Sequence, residues 1–206
     1  NAFRSYGLKL AGIPMAPDGM DIDYLESVLK TDRRVKLLYI ISTFQNPSGI
    51  TTSEAKRRKI LELAEKYDFI ILEDSPYFEL RYSGTDVPSI KSMDKNGRVI
   101  FVGSYSKILS PGIRVGYTIA PKPLSAKLVV AKQVADVHTN QFFSMLIAEY
   151  LTRFDIDAHI DDIRTLYRAK RDRMLAAISE FFPKKVKVYR PDGGLFIWCE
   201  LAASMR

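Results

Sequence analysis

Three short apolar runs, Leu37 to Ile41, Phe69 to Leu72 and Val99 to Val102, constrain this chain more than anything else in it. Each is continuous rather than alternating, as buried strands are. Each is followed by a polar cluster: Asn46-Pro47-Ser48-Gly49, then Glu73-Asp74, then Gly103 with Ser104, Ser106 and Lys107 behind it. Between the first two runs, Thr51-x-x-Glu54 reads as a capping box, and Ile60, Leu61, Ala64 and Tyr67 give one face of a helix. Strands alternating with helices over roughly thirty residues predict βαβ units and a largely parallel sheet. Asn46, Asp74 and Lys107 each follow a buried strand and lie 28 and 33 residues apart, about one βα unit apiece. Successive parallel strands would carry all three to the carboxyl edge of one sheet, where open α/β sheets bind ligands.

The rest of the chain fits around that frame. A short alternation at Leu8, Leu10 and Ile13 predicts a strand and a loop, and Asp21 can cap a helix from Ile22 to about Thr31. Pro111-Gly112 breaks the chain after the third run, and Arg114 leads into a further strand from Val115 to Ala120. Leu124 to about Phe154 is helical in pattern, with a break near His138-Thr139-Asn140. Asp157 to Phe182 is a second amphipathic stretch, with Ile160, Ile163, Leu166, Tyr167, Met174, Ala177, Ile178 and Phe181 expected on its buried side. Val186 to Tyr189 and Leu195 to Leu201 predict two strands joined through Pro191-Asp192-Gly193-Gly194, a hairpin.

Composition excludes several classes. The 206 residues suit one large domain, or one domain plus part of another. An apolar content of 47% and a charged content of 27% are those of a soluble globular protein. No apolar run approaches the ~20 residues that span a bilayer, so no membrane partner is expected. A single cysteine, Cys199, precludes an internal disulfide and fits a reducing cytoplasm. Two histidines and no Cys/His cluster speak against a metal site. The net charge of +7 is spread over helix-patterned segments such as Lys56 to Lys59 and Arg164 to Arg173. Solvated helix faces account for it, and nucleic acid is not expected as a partner.

The segment Val99 to Gly116 carries the chemistry. A lysine just past a buried strand can lose its proton and attack a carbonyl as a free amine. Two hydroxyls and an arginine beside it can hold a dianion such as a phosphate. Asp74, at the end of the second apolar run, adds a carboxylate at the same edge. Asn46 and Tyr77 are further candidate hydrogen-bonding groups. Taken alone, Asp74 could cap the turn into Pro76, Asn46 could be a turn residue and Tyr77 a core aromatic.

Four motifs in order resemble one family, the class I/II (fold-type-I) pyridoxal phosphate-dependent aminotransferases. Q-N-P-S-G (45 to 49) is similar to its N-P-T/S-G motif, and L-E-D-S-P-Y (72 to 77) to its D-x-x-Y motif. G-S-Y-S-K-I-L-S-P-G-I-R-V-G (103 to 116) resembles its lysine segment, and P-D-G-G-L-F-I-W (191 to 198) its P-x-G-G-x-F-x-W hairpin. The resemblance implies pyridoxal 5'-phosphate as cofactor, with Lys107 as the Schiff-base residue and Asp74 at the pyridine nitrogen. It implies Asn46 and Tyr77 at the phenolic oxygen, and Ser104, Ser106 and Arg114 at the phosphate. F-Q-N-P-S-G looks most like the 2-aminoadipate and kynurenine aminotransferase branch.

The implied fold is a three-layer α-β-α large domain with a mostly parallel mixed sheet, followed by the start of a small α+β C-terminal domain. Residues 1–155 would belong to the large, cofactor-binding domain, and residues 156–206 to the long connecting helix and the first hairpin of the smaller one. The implied reaction moves an amino group between an amino acid and a 2-keto acid, in a cytoplasmic homodimer, with Asn140 in a region that approaches the partner's site. Family members are longer, and their N-terminal phosphate loop and C-terminal carboxylate-binding arginine have no counterpart here. The chain therefore reads as a middle fragment, inactive by itself. Two rivals keep the same fold: the aminotransferase-like effector domain of a GntR-type transcription regulator, and a pyridoxal phosphate-dependent lyase.

Overall fold

The three apolar runs pair side by side in the computed structural model, which describes residues 2–205. In chain order, a short helix α1 (Ala2–Ser5) and a two-residue hairpin, β1 (Met15–Ala16) and β2 (Gly19–Met20), come first. Then follow α2 (Ile22–Thr31), β3 (Leu37–Ile40), α3 (Glu54–Tyr67), β4 (Ile70–Asp74), α4 (Ile90–Met93) and β5 (Val99–Ser104). The second half holds β6 (Gly116–Ile119), α5 (Lys122–Asp136), α6 (Gln141–Arg153), α7 (Ile156–Phe181), β7 (Lys187–Tyr189) and β8 (Trp198–Glu200).

The main sheet has the order β3-β4-β5-β6. Its first three strands are parallel, with Leu38 opposite Ile71 and Ile71 opposite Val99. β6 runs antiparallel to β5, pairing Gly103 with Tyr117 and Ser104 with Gly116. Only residues 105–115 join those two strands, too few for the crossover that a parallel neighbour requires. The fold is thus α/β with a mixed, mostly parallel sheet, as the spacing predicts.

One face of the sheet is the core. Leu38, Ile40, Ile71 and Val99 pack there against Leu25 and Leu29 of α2, Ile60, Leu61, Leu63 and Ala64 of α3, and Ile90 of α4. Ile60, Ile71 and Val99 are fully buried, and burial of each such side chain is worth about 1.5–3 kcal/mol. A second cluster joins Leu80, Tyr82 and Ile108 to Ile160 of α7, with Tyr105, Leu109 and Tyr167 packed against it. It fastens the turn after β5 to the long helix.

Several expectations need correction. Residues 8–14 form no strand, because no neighbouring strand pairs with them, and Leu8 and Leu10 are half-exposed. The cap of α3 is Ser53, whose hydroxyl accepts from the Lys56 N–H, rather than Thr51. Thr51 Oγ1 instead accepts from Phe44 N–H, and the Glu54 carboxylate pairs with Arg58. Gly103 does not end β5, which continues to Ser104. On α7, Ile160 and Ile178 are buried as predicted, but Leu166, Met174 and Phe181 are 51%, 56% and 74% exposed. β7 and β8 do pair antiparallel, joined by a long loop rather than a tight hairpin turn.

Candidate functional site

The register of the sheet brings together the segments that the sequence singles out. The loop after β3 holds Asn46, and β4 ends at Asp74, which is paired with Val102 of β5. β5 itself ends at Ser104, and the turn that follows, closed by Leu109 N–H on the Tyr105 carbonyl at 2.9 Å, carries Lys107. Parallel strands end on the same side, so all three segments lie at the carboxyl edge of one sheet.

Glu73 and Asp74 are adjacent and point to opposite faces, because side chains alternate along a strand. Glu73 goes into the core and is fully buried. Asp74 shares the other face with Tyr39, whose phenol donates to Asp74 Oδ2 at 2.7 Å. Burial, that hydrogen bond and the Asp74 charge all push the Tyr39 pKa well above the usual phenol range.

Tyr77 is buried, with its ring edge-on to Phe196 at 5.6 Å. Burial raises its pKa, while the Asn46 side chain acts as a donor that works the other way. Asn46 is exposed at the tip of its loop and precedes Pro47 through a cis peptide bond. The loop is tied by Gln45 N–H to the Ile50 carbonyl at 2.9 Å and by Ser48 N–H to Gln45 Oε1 at 3.0 Å.

Ser104, Ser106 and Arg114 share the connection between β5 and β6. Ser104 Oγ accepts from Ser106 N–H at 3.1 Å. Arg114 is exposed, in the left-handed region at φ 53°, and donates through Nη1 to the Pro111 carbonyl at 3.2 Å. The turn is held from outside the sheet as well. Ile108 is buried in the second cluster, and His159 Nε2 donates to the Ile108 carbonyl at 2.8 Å.

The P-D-G-G segment is fitted against the same edge. Gly194 N–H donates to the Leu80 carbonyl at 2.8 Å, and Tyr82 Oη donates to the Gly194 carbonyl at 2.7 Å. A Cβ on Gly193 would stand 2.2 Å from the Leu80 carbonyl oxygen and 2.3 Å from the Phe44 ring, so only glycine fits. Asn140 has a local role as the cap of α6, accepting from Phe143 N–H at 3.2 Å.

Sequence reasoning misses four participants: Tyr39, Ser42, Arg57 and Glu73. Arg57 is 1% exposed and donates to the carbonyls of Thr52, Ser42, Val87 and Pro88. Desolvation draws its pKa down to about 10. Glu73 accepts from Ser42 Oγ at 2.6 Å and from the N–H groups of Ile90 and Lys91 at 3.0 and 2.8 Å. A signal was available for Arg57, which stands three residues before Ile60 and so on the apolar stripe of α3.

The donor set at this edge is an amine, a carboxylate, a phenol, an amide, two hydroxyls and a guanidinium. It matches in chemistry the aldehyde, ring nitrogen, phenolic oxygen and phosphate of pyridoxal phosphate. Two clefts of about 380 and 390 Å³ lie elsewhere, along α7, and none of these residues lines them. Among the described residues no helix is long and apolar enough to cross a membrane.

The model of one protein family, "Aminotransferase class I and II", matches residues 1–206. The aromatic-amino-acid aminotransferase 1 of Thermococcus litoralis is 46% identical over 204 residues, covering 97% of this chain and 49% of that protein. The crystal structure of a multiple substrate aminotransferase from Thermococcus profundus superposes with a TM-score of 0.94 at 44% identity, covering 98% of this chain and 51% of the other. The α-aminoadipate aminotransferase LysN from Thermus thermophilus, solved with N-(5'-phosphopyridoxyl)-L-leucine, gives a TM-score of 0.92 at 37% identity over 98% of this chain and 52% of the other. The chain thus spans about half the length of the relatives it matches.

Proposed function

This chain belongs to the class I and II aminotransferases, and from that premise we propose that it carries the cofactor-binding edge of a pyridoxal phosphate-dependent enzyme that transfers an amino group from an amino acid to a 2-keto acid. The cofactor, when bound, supplies an electron sink for negative charge developing at the substrate Cα. Lys107 would hold it covalently through its side-chain amine. Freed from that bond, the Lys107 amine would take up and return the proton of the substrate Cα. Asp74 keeps a proton on the pyridine nitrogen, and Asn46 and Tyr77 donate to the phenolic oxygen. Ser104, Ser106 and Arg114 bind the phosphate.

The observation that carries this reading is the pairing of Asp74 with Val102, on the strand that leads directly into the Lys107 turn. It draws further support from Tyr39, which holds the Asp74 carboxylate on the face away from the core. We further propose a cytoplasmic homodimer, in keeping with the single cysteine and with Phe142 and Met145 of α6, which are 70% and 64% exposed. The deciding experiment follows the absorbance of the full-length, cofactor-loaded protein as amino acids are added. Conversion of the visible band to the pyridoxamine form supports transamination, and an unchanged band with every amino acid favours a sensor domain of a transcription regulator.

A further inference from the structure

The two most deeply buried charges near this edge have no part in the chemistry proposed above. Arg57 and Glu73 are 1% and 0% exposed, and their hydrogen bonds go to other groups rather than to each other. Buried charges held by neutral partners are a poor source of stability, because desolvation offsets what those hydrogen bonds return. What the two charges hold is more telling.

Both grip Ser42, itself fully buried, four residues before Asn46. Arg57 Nη2 donates to the Ser42 carbonyl at 2.7 Å and to Thr43 Oγ1 at 2.8 Å, and Arg57 Nε to the Thr52 carbonyl at 2.9 Å. Thr52 N–H also donates to the Ser42 carbonyl, at 2.9 Å. Arg57 therefore closes the base of the loop 42–52 from both ends. On its other side, the Ser42 hydroxyl donates to Glu73 Oε1 at 2.6 Å, and Glu73 is the residue before Asp74.

We propose that Arg57 and Glu73 are positioning residues of the cofactor site. Through Ser42 they fix Asn46, on the loop after β3, relative to Asp74, at the end of β4. The inference rests on the proposed roles of Asn46 and Asp74. It goes beyond them by giving the spacing between two ligating groups on different strands a cause in the core.

The test uses the full-length protein and Ser42→Ala, which removes only the hydroxyl and leaves the carbonyl that Arg57 and Thr52 hold. Glu73→Gln, with a carboxamide of the same shape, is the second variant. Two quantities are read: amide hydrogen exchange of Gln45, Ser48 and Gly49 in the apoprotein, and the pH midpoint of the bound cofactor's visible band. Each variant should speed exchange at those amides by about tenfold. Each should also move the midpoint in the direction that Asn46→Ala moves it, with the Ser42→Ala/Asn46→Ala double variant less than additive. Unchanged exchange overturns the inference. So does faster exchange with an unmoved midpoint, which marks the network as merely structural. If Asn46→Ala itself leaves the midpoint in place, the role given to Asn46 has failed, and the inference falls with it.

Discussion

The Tyr39 phenol donates to Asp74 Oδ2 at 2.7 Å, so a residue in the middle of β3 orients the carboxylate at the end of β4. Tyr39→Phe keeps the ring, which lies edge-on to Phe3 at 6.0 Å, and removes only that donor. Tyr39 is 44% exposed, so the hydrogen bond is worth no more than about 1 kcal/mol. The variant should bind pyridoxal phosphate up to about 5-fold more weakly, with a melting temperature lowered by no more than about 4 °C. Equilibrium dialysis of the cofactor and thermal unfolding check the two halves of that statement.

Lys107 is half-buried in a turn held by Ile108 and His159. Lys107→Ala should abolish the borohydride-fixed cofactor adduct while leaving the fold intact, since the Ile108 and His159 contacts stay. Mass spectrometry of the reduced, digested protein reads this directly. An adduct of undiminished yield on another lysine refutes the assignment.

Gly193 has no room for a side chain, because the nearest obstacle is the backbone oxygen of Leu80 at 2.2 Å from an added Cβ. Backbone cannot swing aside as a side chain can. Gly193→Ala should therefore cost about 2–3 kcal/mol. It should also separate the 191–197 loop from Tyr77, whose ring meets Phe196. Urea unfolding gives the energy, and near-ultraviolet circular dichroism of the tyrosine region reports the lost contact.

Glu79 has a carboxylate oxygen, Oε2, that is buried with no hydrogen-bond partner among the described residues. Burial raises its pKa from 4.5 to about 7, against the partial pull of the Arg164 charge. The folded state holds this proton more tightly than the unfolded chain does. Its contribution to stability is therefore full below pH 4.5 and is lost as the pH rises towards about 7. Glu79→Gln removes that loss. Relative to the parent, the variant should gain stability between about pH 5 and about pH 8, on the order of 2 kcal/mol, measured by urea unfolding at the two values.

The sheet was legible in the sequence because parallel strands leave continuous apolar runs with turn residues behind them. The spacing of Asn46, Asp74 and Lys107 located the edge for the same reason. Glu73 was not legible, because an acidic pair looks like solvated surface, and Arg57 was marked only by its place on the apolar stripe of α3. The carbonyls and amides that satisfy both come together only in the closed chain. Tyr39 was hidden inside an apolar run, where alternation carries no signal. The faces of α7 were misjudged at Leu166, Met174 and Phe181, because periodicity shows that a stripe is apolar and says nothing of what covers it. The strand expected near Leu8 and Leu10 failed for want of a partner, which no local pattern can supply.

The opposed carboxylates of Glu73 and Asp74 have one more consequence. A slip of β4 by a single position would exchange them, sending the Asp74 carboxylate into the hydrocarbon interior and stranding that of Glu73 in water. The alignment that places the proposed ligand-binding edge is thus the same one that satisfies the buried Glu73 carboxylate.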